Sequence, residues 1–213
     1  MDALTSNAPP REYADGKMLA AKDGGIGFIT FNQPEKRNAM SVEMWQGLAE
    51  ILDDFREDAA VRVVIMTGAG GKAFVSGADI SQFGIPAARL GIAYAFDGLR
   101  TLVQLVGPAH ARMILYTGTR IDAEEAAHIG LINKVVPEAS LADTVLEVAR
   151  TIAGNAPLSI AANKLCIDNI LRDPADRDLE AIARAGRTCL DSADYREGRT
   201  AFMEKRQPRF QGR

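Results

Sequence analysis

The chain has 213 residues, 47% of them hydrophobic and 25% charged, with a formal net charge of -3. That length suffices for a packed core and allows one domain or two. The mild acidity argues against a nucleic-acid surface, and no apolar run reaches the length of a membrane span.

Basic residues do cluster in EKRQPRFQGR, residues 204–213. That patch suits one phosphorylated small molecule and is too small for a nucleic-acid face. Cys166 and Cys189 lie far apart in helix-like stretches with no CxxC spacing, so they read as reduced thiols. A cytoplasmic enzyme or binding protein is the default expectation.

Residues 1–16 are polar and proline-containing, without an apolar signal segment, and read as a flexible lead-in. KMLAAKDGGIGFITFNQ then reads as a β-hairpin. Lys17–Lys22 and Ile26–Asn32 flank an Asp23-Gly24-Gly25 turn. PEKRNAMS is a loop. Ser41 caps a helix whose apolar positions Met44, Leu48, Ile51, Leu52 and Phe55 recur at helical spacing through Arg56. VRVVIMTGAG is a nearly continuous apolar strand ending in glycines, the pattern of a buried parallel strand opening into a functional loop. Strand, strand, helix, strand describes an α/β layered domain.

From Gly98 the pattern turns helical. Helices are expected near 98–106, 107–116 and 122–128, then a short strand LINKVV at 131–136, closed by Pro137. Helices near 141–153, 157–171, 175–190 and 192–204 finish the chain. The expected organisation is a lead at 1–16, an α/β core at 17–137 and a helical region at 138–213.

The loop TGAGGKAFVSGADI leaves its backbone uncovered. Exposed N–H groups after a strand suit a phosphate, a carboxylate or a polarised carbonyl oxygen. The spacing matches neither a Walker A loop nor a dinucleotide fingerprint. Tight turning alone also explains the glycines. In the functional version, the N–H of Ala78 at the SGAD helix start faces an acyl carbonyl as half of an oxyanion hole. His110 and His128 lack metal-ligand spacing. Ser76 lacks the G-x-S-x-G elbow of a nucleophile.

Six ordered motifs carry a resemblance that begins near residue 17 and covers most of the chain. They are NQPEKRNAMS, VRVVIMTGAGGKAFVSGADIS, FGIPAARLGI, TGTRIDAEEAAHIGLINKVVP, NAPLSIAANK and FMEKRQPRF. Together they resemble the enoyl-CoA hydratase/isomerase, or crotonase, family. The resemblance implies a β-β-α superhelical core with a helical C-terminal region that builds homotrimers, two of which often stack as a hexamer. It implies an acyl-CoA thioester substrate, coenzyme A entering with the substrate and no separate cofactor. It implies an oxyanion hole of two backbone N–H groups, Ala78 giving the first.

By the same likeness, Lys36, Asn38 and Ala39 with the backbone of Ser76, Gly77, Ala78, Asp79 and Ile80 line the adenine and pantetheine channel. Phe202 and Lys205 reach toward coenzyme A from a neighbouring subunit. For Lys205 the alternative is a solvated helix end, and for Phe202 ordinary packing. Asp79 is either a helix-start carboxylate or a base. Tyr94 either lines the acyl pocket or packs.

The sequence departs from the family pattern in two places. Members carry roughly 50–60 further residues between the SGADIS and FGxP motifs, including a buried strand and the glycine run that supplies the second oxyanion donor, whereas here Gln82 meets Phe83 directly. Either the protein holds residues there that the sequence omits, or it is truly this short. The strands that a deletion would leave unpaired favour omission. Further on, Ala87 stands where hydratases carry a catalytic glutamate, and an alanine moves no proton.

Asp97 is the substitute acid or base in this reading. Capping the helix expected at Gly98 is the alternative. The expected activity is that of an enoyl-CoA hydratase/isomerase. Acyl-CoA binding without hydration, or a different enolate reaction, is the alternative.

Overall fold

A four-stranded sheet carries the N-terminal part of the chain. The computed structural model describes residues 4, 6, 8–75 and 82–213, with Gln82 described in its backbone only. The strands β1 (Arg11–Tyr13), β2 (Met18–Asp23), β3 (Ile26–Phe31) and β4 (Val63–Gly68) lie in the order β1-β2-β3-β4. Residues 11–13, expected within a flexible lead-in, instead form β1 and pair antiparallel with Met18–Ala20. The expected hairpin is present. Gly24 and Gly25 join β2 to β3 at φ of 55° and 86°, the left-handed pair that a two-residue turn needs to match strand twist.

The helix α1 (Val42–Glu57) crosses from β3 to β4, and the two strands run parallel from Ile26↔Val63 to Phe31↔Gly68. Ser41 caps α1 by accepting from the Met44 N–H, as its sequence position suggests. The helix lays Met44, Ile51 and Phe55 against Met18, Ala20, Ile29 and Phe31 of the sheet. Spacing of seven and four residues puts those helix side chains on one face.

β4 is parallel, as expected, but it is not buried on both sides. It is the last strand of the sheet, and Met66 is 40% exposed. The expected strand at 131–136 is likewise not formed. A strand persists only beside a partner, and among the described residues no strand pairs with that segment.

The chain runs continuously through the junction. Gln82 and Phe83 are consecutive residues of the 213-residue sequence and together form β5 (Gln82–Phe83), antiparallel to β6 (Ile121–Asp122). The expectation of omitted residues is therefore corrected: the protein has this direct join. Among the described residues, β4 stands at the sheet edge beside it.

After the junction come α2 (Ala87–Leu90) and α3 (Phe96–Thr117). Gly107 and Pro108 break α3 where two helices were expected. Gly107 sits at φ 72°, and a proline cannot continue the ladder. α4 (Ala123–His128) is capped by Asp122, which accepts from the Glu125 N–H. Leu102, Val106, Ala111 and Ile114 of α3 gather with Ile129 into a second core.

Four helices complete the chain: α5 (Glu138–Gly154), α6 (Pro157–Ile170), α7 (Leu179–Asp191) and α8 (Ala193–Glu204). The chain forms two compact units, Met1–Glu147 and Val148–Arg213, divided within α5.

Candidate functional site

The loops after β3 and β4 leave the same end of two parallel strands. In open α/β sheets, ligand sites form at such carboxyl ends. Here the two loops are bound to each other through Asn38. Its Oδ1 accepts from the Gln33 backbone N–H at 2.9 Å. Its Nδ2 donates to the carbonyls of Ala69 at 3.0 Å and Ala73 at 2.8 Å. Asn38 is 0% exposed. Phe74 of the second loop stacks edge-on against Phe31 at 5.2 Å between centroids.

Both loops carry exposed cations, with the exposed Glu35 among them. Lys36, in a 3-10 turn at Pro34–Lys36, is exposed, as are Arg37 and Lys72, while Ala39 is half-buried. Cations held on rigid loops suit the phosphates of a nucleotide-bearing ligand. The second loop continues directly into Ser76, Gly77, Ala78, Asp79 and Ile80. These five candidate residues lie outside the described residues.

The FGIP turn sits beyond the junction. Gly84 lies against the backbone of Thr119 and Arg120, so that an added Cβ would be 3.2 Å from the Thr119 carbonyl oxygen. Ile85 packs on the α3 core. Ala87 opens α2 and is only 6% exposed. Asp97 is exposed in the first turn of α3. The helix starts at Phe96, and its N-cap is Ala95 without a side-chain bond, so Asp97 does not cap it. Tyr94 is also exposed.

Phe202 and Lys205 belong to the C-terminal unit. Phe202 is 83% exposed near the end of α8. Lys205 is the exposed C-cap of that helix, at φ 56°. Beside them the tail folds back onto α8. Asp194 accepts from the Gln211 and Gly212 N–H groups at 2.7 Å each. Glu197 receives two bonds from the Arg206 guanidinium and one from the Arg209 N–H. The Arg206 guanidinium, then the Arg209 N–H, hold the Glu197 carboxyl down at about 2. A cavity of about 850 Å³ lies along this clamp. Its carboxylates are already engaged, so the clamp fixes the tail.

Sequence reasoning placed Asn38 in the coenzyme channel and missed that its side chain ties two loops. The available signal was an asparagine in a turn-rich loop, since asparagine tolerates left-handed backbone better than most residues. The Asp194 and Glu197 clamp was also missed, because its partners are mostly backbone groups of the tail. Among the described residues, no group of three or more His, Cys, Asp or Glu side chains could hold a metal ion. Among them, too, no helix is long and apolar enough to cross a membrane.

The family model described as Enoyl-CoA hydratase/isomerase matches residues 21–82 and 80–213, two segments that meet at the junction. A short-chain-enoyl-CoA hydratase of Clostridium acetobutylicum is 28% identical over 248 residues, covering 89% of this chain and 95% of the relative. That alignment is longer than the 213-residue chain, so the relative holds residues with no counterpart here. A carnitinyl-CoA dehydratase of Escherichia coli K12 is 29% identical over 258 residues, covering 90% and 97%. The solved enoyl-CoA hydratase/carnithine racemase of Magnetospirillum magneticum superposes with a TM-score of 0.83 at 27% identity, covering 92% and 96%. With its sheet, crossover helix, C-terminal helices and nearly full-length match, the chain belongs to the enoyl-CoA hydratase/isomerase family.

Proposed function

We propose that the chain binds an acyl-CoA thioester and stabilises an enolate formed from it, as an enoyl-CoA hydratase/isomerase. The backbone N–H of Ala78 is the assigned donor to the thioester oxygen. The observation that supports this reading is the pair of loops tied together by Asn38 at the ends of the parallel strands β3 and β4. Two relatives whose names specify CoA thioesters support the substrate class.

The chemistry follows from charge. Removing a proton beside the thioester, or adding water across a conjugated double bond, moves negative charge onto the carbonyl oxygen. A fixed N–H aimed at that oxygen lowers the barrier, because it need not reorganise as the charge develops. Lys36, with Arg37 and Lys72, offers cations to the phosphates of coenzyme A, beside channel positions Asn38 and Ala39. Phe202 and Lys205 are assigned the same task from a neighbouring copy in a trimer. Exposed Leu179, Leu190, Phe202 and Met203 on α7 and α8 favour such an assembly.

Asp97 is the assigned proton carrier. It is an exposed carboxylate on the first turn of α3, ten residues beyond Ala87. A second reading keeps the acyl-CoA ligand but gives up hydration, or substitutes a different enolate reaction. Buried Ala87 favours it, since the position beside the thioester has no carboxyl group.

Crotonyl-CoA and a 3-enoyl-CoA, each incubated with the protein, distinguish these readings through the conjugated thioester absorbance. The enzyme reading predicts its loss in the first case and its appearance in the second. It also predicts that Asp97→Asn lowers kcat by about 10²-fold or more. Coenzyme A binding without turnover of either substrate leaves the binding reading standing.

A further inference from the structure

We propose that the outer edge of β4 docks the β4 of a second copy of this chain, the two strands pairing antiparallel across a two-fold axis. This contact stands apart from the acyl-CoA reading above and from the helices α7 and α8. The argument begins with backbone bonding capacity. In a parallel pair, a strand turns the N–H and C=O of alternate residues toward its partner. β3 therefore meets half of the β4 backbone, along the register from Ile26↔Val63 to Phe31↔Gly68. The groups in between point away from β3. Among the described residues, no strand lies on that side. Among them, too, no backbone hydrogen bond joins residues 63–68 to any element but β3. A row of directional donors and acceptors at strand spacing is satisfied by another extended strand.

The two edges of this sheet meet their surroundings differently. β1, at the far edge, is three residues long and carries the exposed charges of Arg11 and Glu12. Short length and charge are the usual protection of an edge against pairing with another chain. β4 has neither. It is six residues long, its sequence VVIMTG holds no charge and no proline, and Met66 is 40% exposed. Its valines, isoleucine and threonine favour the extended backbone.

A second copy meets the demands of this edge. A two-fold axis perpendicular to the sheet sets two identical edges antiparallel, and each copy gives the other the same groups that it receives. With the axis at Ile65, Val63 faces Thr67, Val64 faces Met66 and Arg62 faces Gly68. No like charges are opposed along that ladder, so no repulsion offsets its bonds. The two four-stranded sheets then continue as one. A ladder of six residues covers less than a standard interface, so the contact is expected to depend on concentration rather than to be permanent.

Met66→Lys tests the edge. The side chain is exposed, so the variant is expected to keep the fold, and it places a cation on the strand as guarded edges do. By sedimentation equilibrium, concentrated wild-type protein is expected to reach twice the mass reached by Met66→Lys, whether the smaller species is one chain or the trimer proposed above. Amide hydrogen exchange followed by NMR gives the local reading and needs no variant. As wild-type protein is concentrated, alternate amides of β4 are expected to slow by about tenfold or more, while amides between β2 and β3 keep their rates. Equal masses for the two folded proteins overturn the inference. So do β4 amides whose exchange is independent of concentration, the result of assembly through α7 and α8 alone or of an edge already covered within the chain. Growth of the wild-type protein without a limiting mass also overturns it, because a closed two-fold contact stops at a pair.

Discussion

The two compact units bury apolar side chains of different size. In the N-terminal unit, Met18, Ile29, Met44 and Ile51 are fully enclosed between the sheet and α1. In the C-terminal unit the buried apolar residues are alanines, at 149, 153 and 201, while Ile167, Ile170, Leu179, Leu190, Phe202 and Met203 are exposed. Its other enclosed groups, Asn169, Ser192 and Asp194, are polar. Asn169 accepts from the Asp178 N–H, and Asp194 holds the tail. The first unit is thus held by its own apolar core. The second is held by helix contacts and polar clamps, and leaves its large apolar side chains exposed.

That contrast predicts unequal costs for truncation. Ile29→Ala removes a fully buried side chain from a tight core and should destabilise by about 2–5 kcal/mol. Leu190→Ala removes an exposed one and should change the isolated chain by less than about 0.5 kcal/mol. Urea unfolding at low protein concentration measures both. Equal costs would break the contrast.

A subtler effect concerns the tail. Glu197 is depressed in the folded chain, so its contribution is present above its ordinary carboxylate value and is lost only as pH falls through about 2. The Arg209 amide should therefore stay protected from exchange at pH 4. In a carbon-detected NMR titration, Glu197 should titrate well below the exposed carboxylates. A midpoint near 4.5 would mean that the clamp is loose.

Much of the fold was legible because periodicity and turn chemistry agreed. The Gly24-Gly25 hairpin, the Ser41 cap and the break in α3 at Gly107-Pro108 each follow from local rules that tertiary packing did not overrule. The errors concern strands and their partners. VRVVIMTG carries the apolar run of an interior strand yet ends the sheet as β4, and LINKVV reads as a strand yet joins no ladder. Sequence records what a strand would prefer to pack against, not whether a neighbour is there.

The loops of the candidate site stood out in the sequence as motifs, while the hydrogen bonds of Asn38 did not, because they join residues 31 and 35 positions apart. The direct join at Gln82–Phe83 was visible in the sequence, but its meaning was misjudged. Strands left without neighbours argued for omitted residues, whereas β4 keeps β3 as its one neighbour among the described residues and 131–136 forms no strand.

The central claim is that a chain lacking the second glycine run still polarises a thioester. Each oxyanion donor is worth roughly 10²–10³ in kcat, so a site without that glycine run is expected to be slower without being inert, whichever N–H gives the second bond. Isotope-edited infrared spectroscopy of a bound saturated acyl-CoA, labelled with carbon-13 at the thioester carbonyl, tests this most directly. The account predicts a carbonyl stretch shifted to lower frequency than that of the free ligand. A bound ligand whose stretch matches that in water would contradict it.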